Sequence, residues 1–182
     1  MAPATNPAFL HFAGIILAAT LGALQGRADR VGPFWQIIVR LPGTLLHEVA
    51  HLLVAFLTGG KPAGFTVIPH RTVGVTAGGS LRQVWVLGSV TITNPSPLAA
   101  FPSGCAPLLL LPLAWFLYSN WFSWFPLDLL HTLLMYVAVV ICCGGSLPSS
   151  RDLNVAFSRP AGVLLYAAAC FSLWLMWRHA RH

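Results

Sequence analysis

Acidic residues are almost missing from this chain. Its 182 residues include four Asp and Glu together against ten Lys and Arg, and charged residues of both signs make up only 8%. A soluble domain carries about 25%. With so little charge to hold a surface in water, a hydrophobic content of 57% and a mean hydropathy of +0.75 indicate a polytopic, mainly α membrane protein, expected to form one domain over residues 1–182. The net charge of +6 does not point to nucleic acid. The basic residues are scattered, without a basic run or interleaved aromatic and basic residues, and are expected to face lipid headgroups. Cysteine is also scarce: Cys105, Cys142, Cys143 and Cys170 form no CxxC pair. They read as buried small hydrophobes, not as a disulfide framework. No basic region precedes the first apolar run, so a cleaved signal peptide is not expected. There is no internal repeat.

What is present is a series of apolar runs. Five spans are expected, at about residues 9–24, 34–58, 98–118, 127–143 and 160–177. Gly26 to Pro33 reads as a short connection, and Pro33 is placed to open the second helix. Pro42 inside that helix predicts a kink about one turn before His47, and Gly59-Gly60 ends it. Residues 64–94 have a different texture. Phe65–Ile68, Thr72–Thr76 and Val84–Thr93 are rich in β-branched residues, and Ala77–Ser80 reads as a turn. One or two β-hairpins are therefore expected between the second and third spans, kept away from lipid because an open sheet edge cannot face it. Pro102, Pro107 and Pro112 make the third span irregular. Ser119 to Pro126 reads as an aromatic-rich interfacial turn. After the fourth span, Ser149 or Ser150 can cap a short helix running through Phe157.

The chemistry centres on His47-Glu48-Val49-Ala50-His51 in the second span. On a helix, His47 and His51 lie one turn apart on one face, where two imidazoles can grip one Zn²⁺. Glu48, the only Glu in the chain, is the adjacent carboxylate that can take a proton from water at such a metal. Histidines satisfied by backbone groups, or a decayed site, are the bland alternatives. They lose ground because ionisable side chains in the hydrocarbon layer are costly and are by default functional.

A catalytic zinc takes a third protein ligand. A second Glu is unavailable, and the remaining acids are Asp29, Asp128 and Asp152. His51 lies roughly 10 Å before the end of its helix, nearer the hairpin side. Asp29 and Asp128 fall on the far side of the membrane in this topology, whereas Asp152 follows the returning fourth span in a broken stretch that can dip inward. Asp152 is therefore the expected third ligand, with Asp128 the alternative. Capping of its own helix is Asp152's competing role. Asp128 and His131 read as a hydrogen-bonded structural pair, and His70 as a surface residue. Lys61, Arg71, Arg82, Arg151 and Arg159 on the hairpin side, against Arg27, Arg30, Arg178 and Arg181 on the other, lean slightly toward a cytoplasmic hairpin.

At His47–His51, followed by Leu57-Thr58-Gly59-Gly60-Lys61, a β-rich segment and the Pro148-Ser149-Ser150-Arg151-Asp152-Leu153 break, the chain resembles the site-2 protease family of intramembrane zinc metalloproteases. It is most similar to the compact bacterial members, over about residues 34–155. Better-known members carry Asp-Gly at the later position, where this chain has Asp152-Leu153. The resemblance implies a zinc endopeptidase of a bacterial inner membrane that cleaves a membrane-embedded protein or peptide. His47, His51 and Asp152 would hold Zn²⁺, and Glu48 would be the general base. A noncatalytic scaffold that keeps the metal site, or a small proton or metal transporter, are the competing functions. Oligomeric state is not legible.

Overall fold

The computed structural model describes the backbone of residues 6–31, 33–66, 70–75, 81–86, 88–92 and 95–181. Seven helices and four strands follow in order: α1 Pro7–Val31, α2 Pro33–Leu57, β1 Pro62–Thr66, β2 His70–Val75, β3 Leu81–Val86, β4 Ser89–Ile92, α3 Pro97–Cys105, α4 Leu110–Trp124, α5 Leu129–Gly145, α6 Ser150–Phe157 and α7 Pro160–His179. A 3-10 turn over Ala106–Leu109 joins α3 to α4. Four stretches are long and apolar enough to cross a membrane: Pro7–Arg27, Ile37–Leu57, Pro97–Trp124 and Pro160–His179. A fifth arises if α5 and α6, bent by 58° at their break, count as one span. The mainly α, polytopic architecture with a β insertion after the second span is as expected.

Local chemistry sets the helix ends. Ser96 accepts from the Ala99 N–H at 3.2 Å and caps α3, with Pro97 in the first turn, where its missing N–H costs nothing. Asp128 caps α5 by accepting from the His131 N–H at 2.8 Å. Ser149 caps α6 in a reciprocal box: its hydroxyl accepts from the Asp152 N–H at 3.2 Å, and Asp152 Oδ2 accepts from the Ser149 N–H at 2.6 Å. α2 ends as expected at Gly59, whose φ of 71° is open to glycine. There the Gly60 N–H reaches back to the Ala55 carbonyl at 2.7 Å and the Gly59 N–H to Phe56 at 3.2 Å, the Schellman arrangement.

Several boundaries differ from expectation. Residues 26–31 are helical rather than a connection, because Arg27, Ala28 and Arg30 are helix formers and nothing before residue 32 breaks the run. α4 runs through Trp124, so most of the aromatic segment after Ser119 is helix, not turn. The run over Val84–Thr93 is two strands, β3 and β4, interrupted before Ser89 at a glycine-containing break. β1 pairs antiparallel with β4, Phe65 opposite Val90, and β2 pairs with β3, so the insertion folds as one hairpin inside another. Ile68, the Ala77–Ser80 turn and Thr93 lie outside the described residues, as does the His70 side chain.

α2 is the hub and packs against α1, α3, α5, the 3-10 turn, β1 and β4. The buried positions around it are small: Ala50, Val54 and Ala106 form one cluster, and Leu110, Ala114 and Cys142 another. Small residues let helices approach closely, the usual means of association where lipid removes the hydrophobic drive. Glycine closes two contacts further. A Cβ at Gly145 would run into the Gly43 carbonyl, so this pair sets the α2–α5 approach. A Cβ at Gly104 would meet the Asp152 carbonyl and Ala156, so α6 seats directly on α3. Large apolar side chains point outward instead, Leu164 at 70% exposure and Leu173 at 65% among them, as a lipid-facing helix requires.

Candidate metal centre

The three residues singled out for a metal do meet. His47 and His51 sit one turn apart on α2, and the α5–α6 break brings Asp152 back to them. His47 Nε2 lies 3.3 Å from Asp152 Oδ2, and His51 Nε2 lies 3.2 Å from Asp152 Oδ1. The two Nε2 atoms are 3.1 Å apart. Among the described residues this is the one group of three His, Cys, Asp or Glu whose donor atoms gather this closely.

Backbone carbonyls orient both rings. His47 Nδ1 faces the Gly145 carbonyl at 2.9 Å, and His51 Nδ1 faces the Ser103 carbonyl at 2.7 Å. A carbonyl can only accept, so each imidazole donates through Nδ1–H and, when neutral, keeps a bare lone pair on Nε2. Proline accounts for one of these carbonyls and contributes to the other. Pro107, four residues after Ser103, has no N–H to give it, and the Ser103 carbonyl keeps only the Ala106 N–H from its own helix. Gly145 is the last residue of α5, where carbonyls lack intrahelical donors, and Pro148 supplies none. Both carbonyls lie at helix C-termini, which carry partial negative charge and favour a cation.

The donor set can be tested for fit. Two lone pairs and a carboxylate converge with no hydrogen left among them while the rings are neutral, so the cluster calls for a cation. A tetrahedral ion bonded at about 2.0–2.1 Å would separate its ligand atoms by about 3.3 Å, close to the spacings above. The carbonyl-anchored rings are the outer support that metal-ligating histidines normally show. His47, His51 and Asp152 can therefore hold a metal ion. Asp152 meets both sets of groups anticipated for it, because Oδ2 caps α6 while the same carboxylate faces the imidazoles.

The centre opens on a cavity of about 760 Å³ lined also by Arg40, Thr44, Gly88, Val90 and Arg151. Glu48 is 8% exposed on its wall. Val90 of β4 lines the same cavity. A Cβ on Gly88 would come within 2.8 Å of Glu48 Cγ, so glycine leaves room for this side chain beneath the strand.

The other candidates fall elsewhere. Asp128 bonds His131, Oδ1 to Nδ1 at 2.8 Å, and His131 stacks on Phe125, a structural pair as expected. The Asp29 side chain lies outside the described residues. Cys142 is buried, but Cys143 and Cys170 are exposed, which corrects the expectation that all four cysteines are buried. Both lie on outward faces of their helices, where a thiol is tolerated as a small apolar group. Sequence reading missed the Ser103 and Gly145 carbonyls, the close-contact glycines Gly43 and Gly104, and the Gly88–Val90 cover over Glu48. Pro107 was the available signal for the first of these.

Fold and site together define a multi-span helical protein with a His/His/carboxylate centre able to take a metal ion. Comparison with protein-family models, with curated proteins and with solved structures finds no match.

Proposed function

We propose that the chain is an intramembrane zinc metalloprotease of the site-2 protease type, hydrolysing a peptide bond of a membrane-embedded protein in a bacterial inner membrane. The observation that carries the reading is the convergence of His47, His51 and Asp152 with a buried Glu48 and an open strand edge on one cavity. The nitrogen and oxygen donor set suits zinc, which when bound by these three side chains supplies Lewis acidity that polarises a peptide carbonyl and acidifies water. Glu48 takes the proton of the attacking water as its oxygen bonds to the scissile carbon. It returns that proton to the amide nitrogen as the C–N bond breaks. The Gly145 and Ser103 carbonyls fix the two imidazoles through these steps. Among the described residues β4 pairs with β1 alone, and its other edge can take an extended segment, which suits a helical substrate that must unwind to be cut.

The test is Glu48→Gln in native membranes. The variant is expected to keep zinc and to lose cleavage by about 10²–10⁴-fold, the usual worth of a general base. One uncut membrane peptide should then accumulate. A variant with an unchanged membrane proteome would point to a scaffold instead, and zinc or proton flux in liposomes without a peptide product would point to a transporter.

A further inference from the structure

The cavity of the metal centre is lined by more positive charge than its acids can balance. Its ionisable lining includes two carboxylates, Glu48 and Asp152, and two guanidinium groups, Arg40 and Arg151. The carboxylates offset the arginines, so a divalent ion held by His47, His51 and Asp152 would leave two positive charges in excess.

Arg40 is the member of this set that most needs a reason. It is the fourth residue of the Ile37–Leu57 span, and an arginine in a span is by default functional. Arg40, Thr44, His47 and His51 follow at intervals of four, three and four, so they form one stripe of α2, and all four line the cavity. Seven residues at 1.5 Å each put Arg40 about 10 Å along the helix from His47. Gln25 joins it from α1. The two helices are neighbouring spans joined at residue 32 and packed together, which sets Gln25, seven residues before the junction, level with Arg40, eight after it. Gln25 lines the cavity too, and a Cβ at Gly144 would come 3.4 Å from its Nε2, so the amide reaches across to α5. A guanidinium offers a planar fork of donors matched to a carboxylate, and an amide nitrogen adds two more.

We propose that Arg40 and Gln25 form a subsite for a carboxylate of an extended peptide, about three residues from the bond presented to the metal centre. A strand advances about 3.3 Å per residue, so three residues cover the 10 Å between Arg40 and His47. An acidic side chain and a free C-terminus are the two sources of such a group. This deepens the proteolytic reading by naming a substrate class and rests on it for its purpose, but binding alone tests it.

The full chain in nanodiscs of zwitterionic lipid, zinc-free and zinc-loaded, is titrated with fluorophore-labelled Val/Thr peptides, and binding is read by anisotropy. One series, amidated, carries a single Glu or a single Gln; a second has no acidic side chain and ends as free acid or amide. The carboxylate member of at least one series is expected to bind about ten- to a hundredfold more tightly than its neutral counterpart, with and without zinc. A gain confined to the first series assigns an acidic side chain, one confined to the second assigns the C-terminus, and either supports the subsite. Arg40→Gln should reduce the gain to less than about threefold, and Arg40→Lys, which keeps the charge but not the fork, should retain part of it. Gln25→Met should reduce it by less and serves if Arg40→Gln does not fold. Arg151→Gln should leave it intact. In the loaded protein a C-terminal hydroxamate or an N-terminal thiol fixes one end of the peptide on the ion, and Glu three residues from that anchor should bind best.

Equal affinities within both series, a gain that survives Arg40→Gln, or a gain that Arg151→Gln removes each overturn the subsite. So does Arg40-dependent binding of short-chain phosphatidylglycerol with no peptide gain, which would make Arg40 a lipid contact. An Arg40-dependent gain in a protein that cleaves nothing keeps the subsite and sinks the protease. Cleavage of a membrane substrate without the gain does the reverse.

Discussion

Gly145→Ala concentrates the physical reasoning about the centre into one methyl group. The added Cβ would overlap the Gly43 carbonyl and come within 3.1 Å of Leu110 Cδ1. α2 and α5 must part by about 1 Å to restore ordinary contact. That movement carries the Gly145 carbonyl, now 2.9 Å from His47 Nδ1, beyond hydrogen-bond reach. Overpacking should cost about 1–3 kcal/mol of stability. Losing the outer partner of one ligand should weaken metal binding by about 10–100-fold. The adjacent Gly144→Ala is the control. Its Cβ would meet only the flexible end of Gln25, at 3.4 Å, and alanine is the better helix former. Gly43→Ala falls between them, since its Cβ would sit 3.3 Å from the Gly145 nitrogen and the Ile141 oxygen. Zinc affinity by competition with a chromophoric chelator, with thermal unfolding in the same detergent, should rank the three as Gly145, Gly43, Gly144 from most to least affected. A Gly145→Ala protein that binds zinc within about threefold of the native one would refute the account of how His47 is held.

Other outcomes follow from the same contacts. Ser149→Ala removes the hydroxyl cap of α6 but leaves the Asp152 carboxylate, so it should cost about 0.5–2 kcal/mol of stability with a smaller fall in zinc affinity than Asp152→Asn; equilibrium dialysis of the two checks the order. The Asp128 carboxyl lies below its ordinary range, because the His131 backbone N–H and then the His131 ring favour its charged form. Its contribution to stability is present above the ordinary carboxylate pKa and is lost as pH falls through the lowered folded value, so Asp128→Asn should lower the neutral plateau of a thermal-stability profile and flatten its acid limb. Tyr166 donates to the Leu98 carbonyl at 2.8 Å, a carbonyl that Pro102 leaves without its helical N–H. Tyr166→Phe should cost about 0.5–1.5 kcal/mol, and less in a Pro102→Ala background, as a double-mutant cycle would show.

Much of the centre could be read from the chain because its information is local or topological. The i, i+4 spacing puts His47 and His51 on one face without reference to any other element. Counting spans returns Asp152 to their side, and the scarcity of acids leaves few rivals. The Ser149 cap and the Asp128–His131 pair are also local, being spaced by three residues. The misses are of another kind. Which carbonyl meets each imidazole depends on how α3 and α5 cross α2, a packing outcome that no window of sequence contains. Gly43, Gly104 and Gly145 look like ordinary glycines of apolar segments until a second backbone lies against them. The break at Gly88 is hidden because the β-branched texture on either side is continuous, and the Glu48 side chain that lies against it comes from forty residues earlier in the chain.

The double engagement of Asp152 bears on how the centre is filled. Its carboxylate is pinned by the Ser149 backbone, and the imidazoles are pinned by Gly145 and Ser103, so each of the three donors has a support in the scaffold besides its contacts with the other two. Most of the ordering cost of such a centre is then met when the chain folds, unlike a zinc finger that is shapeless until its ion arrives. An ion held there would behave as an exchangeable guest: a chelator should strip it quickly and leave a vacant but intact socket, ready to reload.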